Sequence, residues 1–191
     1  MTAQRGSKAS WSVRFIIGML VAAGSYWGWG YWRKHVIEEN EQNARACLKA
    51  LTVAETDFRS NDRDGNFAND FWTGDVASLY SLVPPRGPSD PIVLIEKALA
   101  DADGARSGAK PFCGYLFRVL QLDENGNPYR EDKTGRNPSK FGFCAYPAAY
   151  GRTGRWTYIV NEGNTVFAMD TKGTPVLRYP SDPPLKGVHA D

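Results

Sequence analysis

Hydrophobic and polar positions follow three different rhythms along this chain. From Phe15 to Trp32 the stretch FIIGMLVAAGSYWGWGYW is unbroken by charge or proline. From Ala44 onward apolar residues recur at steps of three and four: Ala44, Cys47, Leu48, Leu51, Ala54 and Phe58. That spacing lays one stripe along a helix face. Glu38, Glu41, Arg45, Lys49 and Glu55 then fall largely on the other side. Beyond Pro111 the rhythm shortens again, into runs rich in Tyr, Phe and Val parted by Gly, Pro and Asn, which reads as strands.

The first rhythm predicts a transmembrane helix over 13–34. Residues 15–32 rise roughly 27 Å as a helix, close to a bilayer's hydrocarbon thickness. Arg5, Lys8 and Arg14 precede the stretch, and Arg33 and Lys34 follow it. Ala22, Ala23 and Gly24 could instead supply the small residues of a cleaved signal peptide. The apolar run continues past them through Trp27, Trp29, Tyr31 and Trp32, an aromatic cluster suited to a membrane interface or a partner contact. Gly24 and Gly28 add a small-xxx-small spacing for a second helix. The excess of Lys and Arg on the N-terminal flank places that end in the cytoplasm, giving a single-pass inner-membrane protein with an extracytoplasmic domain.

Between Trp32 and Asp57 no proline or glycine intervenes, so one long helix should run from the anchor through the amphipathic stripe. Asn61–Asp75, reading NDRDGNFANDFWTGD, stops it. Thr73 or Asp75 can cap a short helix over 76–80, and Pro91 can open another through IVLIEKALADAD. Strands are expected over 112–122, 141–146, 155–160 and 165–169, the last two joined by a hairpin at Asn161-Glu162-Gly163-Asn164. The domain order is a loosely ordered 1–12, the anchor 13–34, an α+β domain 35–172 and an extended Pro-rich tail 173–191. A long N-terminal helix packed on a small antiparallel sheet is the expected fold.

Composition narrows the function classes. The 191 residues carry a formal charge of +2, too close to neutral for a nucleic-acid protein. With 19 Gly and 12 Pro the chain is rich in turns, which favours the β component. Three cysteines, Cys47, Cys113 and Cys144, form no CxxC pair. Outside the cytoplasm a Cys113–Cys144 disulfide is the preferred pairing, and three buried thiols are the alternative.

The stretches KPFCGYLFRVL at 110–120, FGFCAYPAAYGRTGRWTYIVNEGNTVFAMD at 141–170 and AETDFRSNDRDGNFANDFWTGDVASLY at 54–80 resemble an uncharacterised bacterial domain family with pilin-like features. The helix-then-sheet order is similar to type IV pilins and type II secretion pseudopilins. That resemblance implies a pilin-like α+β fold. No prepilin cleavage motif precedes Phe15, and no glutamate occurs before Glu38.

Chemistry is sparse. Asp62, Asp64, Asn66, Asp70 and Asp75 surround Gly65 and could give oxygen ligands to calcium. The spacing is not that of an EF-hand, and an Asx-rich turn with a helix cap explains the same residues. His35 and His189 are the two histidines, and neither sits in a nucleophile motif. Tyr115, Phe117, Phe141, Phe143, Tyr146, Tyr150, Trp156 and Tyr158 supply either core or docking surface. The expected function is a non-catalytic structural subunit anchored in lipid and holding other subunits of an envelope complex through its anchor helix and its aromatic-rich domain. A pseudopilin is the first alternative, and a metal-dependent enzyme or electron carrier the second.

Overall fold

One helix carries the first two rhythms without a break: α1 spans Ala9–Ser60. The computed structural model describes residues 9–83, 91–131 and 135–181, and of residues 9–30 the helical backbone alone. Contacts divide the chain into two units, Met1–Val36 and Ile37–Asp191.

In the first unit Tyr31 and Trp32 are exposed, and the Tyr31 ring meets His35 edge-on with centroids 4.4 Å apart. Most of the expected anchor, with Trp27 and Trp29, lies outside the residues whose side chains are described. Among the described residues no helix is long and apolar enough to cross a membrane. The single-pass inner-membrane placement expected from the sequence is therefore corrected. The physical reason lies in the described half of α1. It carries Arg33, Lys34, Glu38, Glu39, Glu41, Arg45 and Lys49, and its apolar stripe is spent on a protein core.

In the second unit the stripe behaves as its spacing demands. Ala44, Cys47, Leu48, Leu51, Ala54 and Phe58 are all buried. Each leucine so covered contributes about 2 kcal/mol. Glu55 departs from the expectation: it is fully buried, because it falls between Leu51 and Phe58 on the same face.

The stripe packs with one face of a four-stranded antiparallel sheet in the order β2-β4-β5-β6. These strands are β2 (Tyr115–Val119), β4 (Gly142–Pro147), β5 (Thr157–Asn161) and β6 (Phe167–Met169). Tyr115, Phe117, Phe143, Ala145, Tyr158 and Val160 form the helix-side core. Polar ties fix the helix along the sheet. Asn40 Nδ2 donates to Thr153 O at 2.9 Å, Glu41 Oε1 accepts from Arg155 N at 2.9 Å, and Lys49 Nζ donates to Asn164 O. The hairpin at 161–164 forms as expected, with Asn164 N donating to Asn161 O at 2.9 Å.

A second core covers the sheet's other face: Leu120, Tyr129, Cys144, Tyr146, Ile159 and Tyr179. The chain from Val176 to Tyr179 closes it. Gln121 N donates to Leu177 O at 2.7 Å, and Tyr179 N to Leu122 O at 2.8 Å. Part of the expected surface tail is thus a strap over a core.

The three cysteines are free thiols. The expected Cys113–Cys144 bridge is corrected by register, since Cys144 stands opposite Arg118 on β2 and Cys113 precedes that strand. Cys144 lies in the second core, where Val176 N donates to its Sγ at 3.3 Å.

Two short helices differ from expectation. α2 is Ser78–Ser81 and α3 is Lys97–Asp101. Residues 92–96 are not helical as expected, because Ile92 N and Leu94 N bond to Leu82 O and Leu79 O. A further two-stranded sheet joins β1 (Phe71–Trp72) to β3 (Arg136–Asn137), with Phe71 opposite Asn137.

Candidate functional site

The loop that ends α1 is held by several side-chain-to-backbone bonds. Helix α1 closes in a Schellman motif: Arg63 N donates to Phe58 O at 3.1 Å and Asp62 N to Arg59 O at 3.5 Å. The residue that must turn left-handed is Asp62, at φ 43°. Glycine usually takes that position, since a Cβ is penalised there. Asp62 offsets the penalty with its carboxylate, which accepts from Asn66 N at 3.1 Å and Phe67 N at 3.0 Å.

A second layer of bonds fixes the loop's exit. Asn66 Nδ2 donates to Asp70 Oδ2 at 2.9 Å and Asp64 Oδ2 at 3.2 Å, and its Oδ1 accepts from Ala68 N at 2.6 Å. Arg63 grips Asp57 through two nitrogens at 2.8 and 3.0 Å, which holds the Asp57 carboxyl below its usual range. Arg59 Nε donates to Asn69 O at 3.1 Å while its guanidinium lies over the Phe71 ring. Asp75 Oδ1 accepts from Ser78 N at 2.6 Å, the cap expected for the following helix.

The aspartates expected as calcium ligands are thus engaged differently. Asp62 and Asp75 cap backbone amides, and Asp64 is ion-paired with Arg136 from β3. Among the described residues no group of three or more His, Cys, Asp or Glu side chains is arranged to hold a metal ion.

Beneath the loop lie three buried carboxylates, Glu55, Asp64 and Asp70, served by this one arginine. Glu55 Oε2 accepts from Trp72 N at 2.8 Å, which ties α1 to β1. Glu55 Oε1, Asp64 Oδ1 and Asp70 Oδ1 have no hydrogen-bond partner. Burial pushes the Glu55 carboxyl well above its ordinary range, and Asp70 adds to the push. Burial raises Asp64 too, outweighing Arg136. Burial thus favours the neutral form of Glu55, beside a cluster that one cation does not neutralise.

What the loop presents outward is Phe67. Its side chain is 84% exposed and its backbone sits at φ 66°. A left-handed bulky residue costs about 1–2 kcal/mol. Leaving a phenyl ring in water forgoes about 2 kcal/mol more. No ring contact engages Phe67 among the described residues, whereas Tyr150, also partly exposed, lies under Lys172 and bonds Asp170. Most of the aromatic residues expected as core or docking surface are core: Tyr115, Phe117, Phe141, Phe143, Tyr146 and Tyr158 are buried. Sequence spacing offered no signal for Phe67, because its exposure depends on the caps around it.

Residues 31–174 match the family described as Protein of unknown function (DUF2950), which covers most of the chain. The chain belongs to the DUF2950 family. The match takes in the described half of α1, the capped loop and all six strands of this DUF2950 domain. No curated protein and no solved structure matches the chain.

Proposed function

We propose that this DUF2950 chain is a non-catalytic structural subunit that docks a partner protein, with Phe67 as its anchor. One observation carries the reading: a ring left 84% exposed at a left-handed backbone position, on a loop held by side-chain caps. Strain kept at an exposed position points to use there rather than to stability. A rigid aromatic loses little entropy when it enters a pocket, and such residues dominate contact energies. The loop bonds supply that rigidity before the partner arrives. The partner's site is an apolar pocket of aromatic size.

The pilin-like reading of the fold belongs to the same proposal. Its support is α1 laid along an antiparallel sheet, an arrangement that serves assembly proteins. The low reactivity of the thiols agrees with a binding role. Burial pushes Cys47 and Cys144 up to about 12 and raises Cys113, which removes the thiolate a nucleophile needs.

The test replaces phenylalanine at 67 with a photo-cross-linking analogue in cells that make the protein, and compares native purification of the Phe67→Ala chain. A single cross-linked protein from position 67, lost from the Phe67→Ala preparation while its melting curve is kept or improved, is the expected result. Cross-links only to solvent or to many proteins, or an unchanged set of co-purifying proteins, overturn it.

A further inference from the structure

A bowl of about 260 Å³ opens beside α3, lined by Lys97, Asp101, Arg106, Ser107, Gly108 and Lys110 among others. Its charge is unbalanced. Lys97 Nζ bonds both oxygens of Asp101, at 2.7 and 2.6 Å, which consumes the single carboxylate of the lining. Arg106 and Lys110 remain, and no hydrogen bond or ion pair joins either side chain to an acceptor among the described residues. Both fields converge on Asp101, which Lys97 first, then Lys110 and Arg106, hold below the usual carboxylate range. The lining therefore carries three cations against one carboxylate.

Neutral donors accompany them. Ser107 brings a hydroxyl. The amides of Ser107 and Gly108 make no backbone hydrogen bond, whereas those of Arg106, Ala109 and Lys110 do. Gly108 turns left-handed, at φ 79°, and open space lies where its side chain would be. The turn's backbone is held from below. Asp103, fully buried, accepts from Val76 N at 3.0 Å, Ala77 N at 3.1 Å and Ala105 N at 2.9 Å. Gly104 N donates to Phe117 O at 2.6 Å, and Lys110 N to Asp101 O at 2.8 Å. The donors thus sit on a fixed backbone, which lowers the entropy cost of binding.

We propose that this bowl binds a phosphate dianion, free or as the monoester of a small molecule. Arg106 offers the planar fork that matches phosphate oxygens, Lys110 a point charge, and Ser107 with the two amides the remaining donors. Two surplus charges match a phosphate monoester, which carries about −1.5 to −2 near neutrality. The bowl's 260 Å³ lies below the ~300–1,000 Å³ usual for drug-sized ligands and has room for a phosphate with a few carbons. This site is independent of docking through Phe67, and the two stand or fall separately.

Amide NMR of the full chain, titrated with inorganic phosphate at constant ionic strength, tests the proposal. Saturable shifts confined to 97–110 are expected, with affinity about tenfold weaker or worse in the Arg106→Ala/Lys110→Ala chain. Both side chains are exposed, so that variant keeps its fold, which the unshifted remainder of its spectrum verifies. Glycerol 1-phosphate in a second titration separates the sources: tighter binding than phosphate assigns the site to a monoester, equal binding to the free ion. Shifts reproduced by chloride, shifts that never saturate, or binding unchanged in the double variant overturn it.

Discussion

Asp62 shows how one residue can do the work of two. It occupies a glycine position at the end of α1 and pins the amides of Asn66 and Phe67 with its carboxylate. Replacing it separates the roles. Asp62→Gly removes the caps but suits the left-handed backbone, while Asp62→Ala removes the caps and keeps the strain. Urea unfolding should find Asp62→Ala less stable than the parent by about 1–2 kcal/mol and Asp62→Gly nearer to it. Equal losses in both would mean that the backbone position is unstrained. The candidate site was legible at this scale only as a list of acids. The Asn/Asp cluster around Gly65 announced a turn, but the choice between capping and metal binding lay elsewhere. It involves Arg136, which pairs with Asp64 from 72 residues away and which no local spacing reveals.

At the scale of elements, the legible parts were those whose period is long enough to count. The stripe of α1 and the strands β2, β4, β5 and β6 all appear where alternation and turn residues put them. β1 and β3 did not, because each is two residues long and exists through its pairing. The expected helix after Pro91 begins only at Lys97, since Ile92 and Leu94 gain long-range backbone partners that outweigh local propensity. Packing between elements also leaves no room for a side chain at Gly154. A Cβ at Gly154 would overlap the hydroxyl of Tyr115, which donates to Trp156 O at 2.9 Å and lies in the helix-side core. Gly154→Ala should therefore cost about 1–3 kcal/mol of unfolding free energy, although residue 154 is in a loop. A neutral effect would show that Tyr115 can shift without losing its bond.

Across the whole molecule, two buried acids give stability opposite slopes with pH. Lys140 holds Asp123 down to about 2, with the Asn127 amide helping, so its contribution is present above the unfolded value and fades as pH falls toward 2. Burial raises Glu55 well above the ordinary glutamate range, so folding favours its protonated form. That contribution is complete below the unfolded pKa and disappears as pH climbs through the folded one. Urea midpoints should accordingly peak on the acid side of neutrality. Glu55→Gln, which keeps an oxygen for Trp72 N, should flatten the alkaline limb and gain about 1 kcal/mol or more at neutral pH. A variant that is weaker than its parent at every pH would refute a proton on Glu55.

The strap of residues 176–179 has a consequence for Cys144. While the strap is closed that thiol is buried, and burial pushes its ionisation up to about 12 although the bond from Val176 N works against the push. Lifting the strap would admit water and let the pKa fall back, so access and nucleophilicity would rise together. Nature has in effect left a chemical tell-tale behind the sheet: an alkylating reagent would record each lifting of the C-terminal segment as a covalent mark.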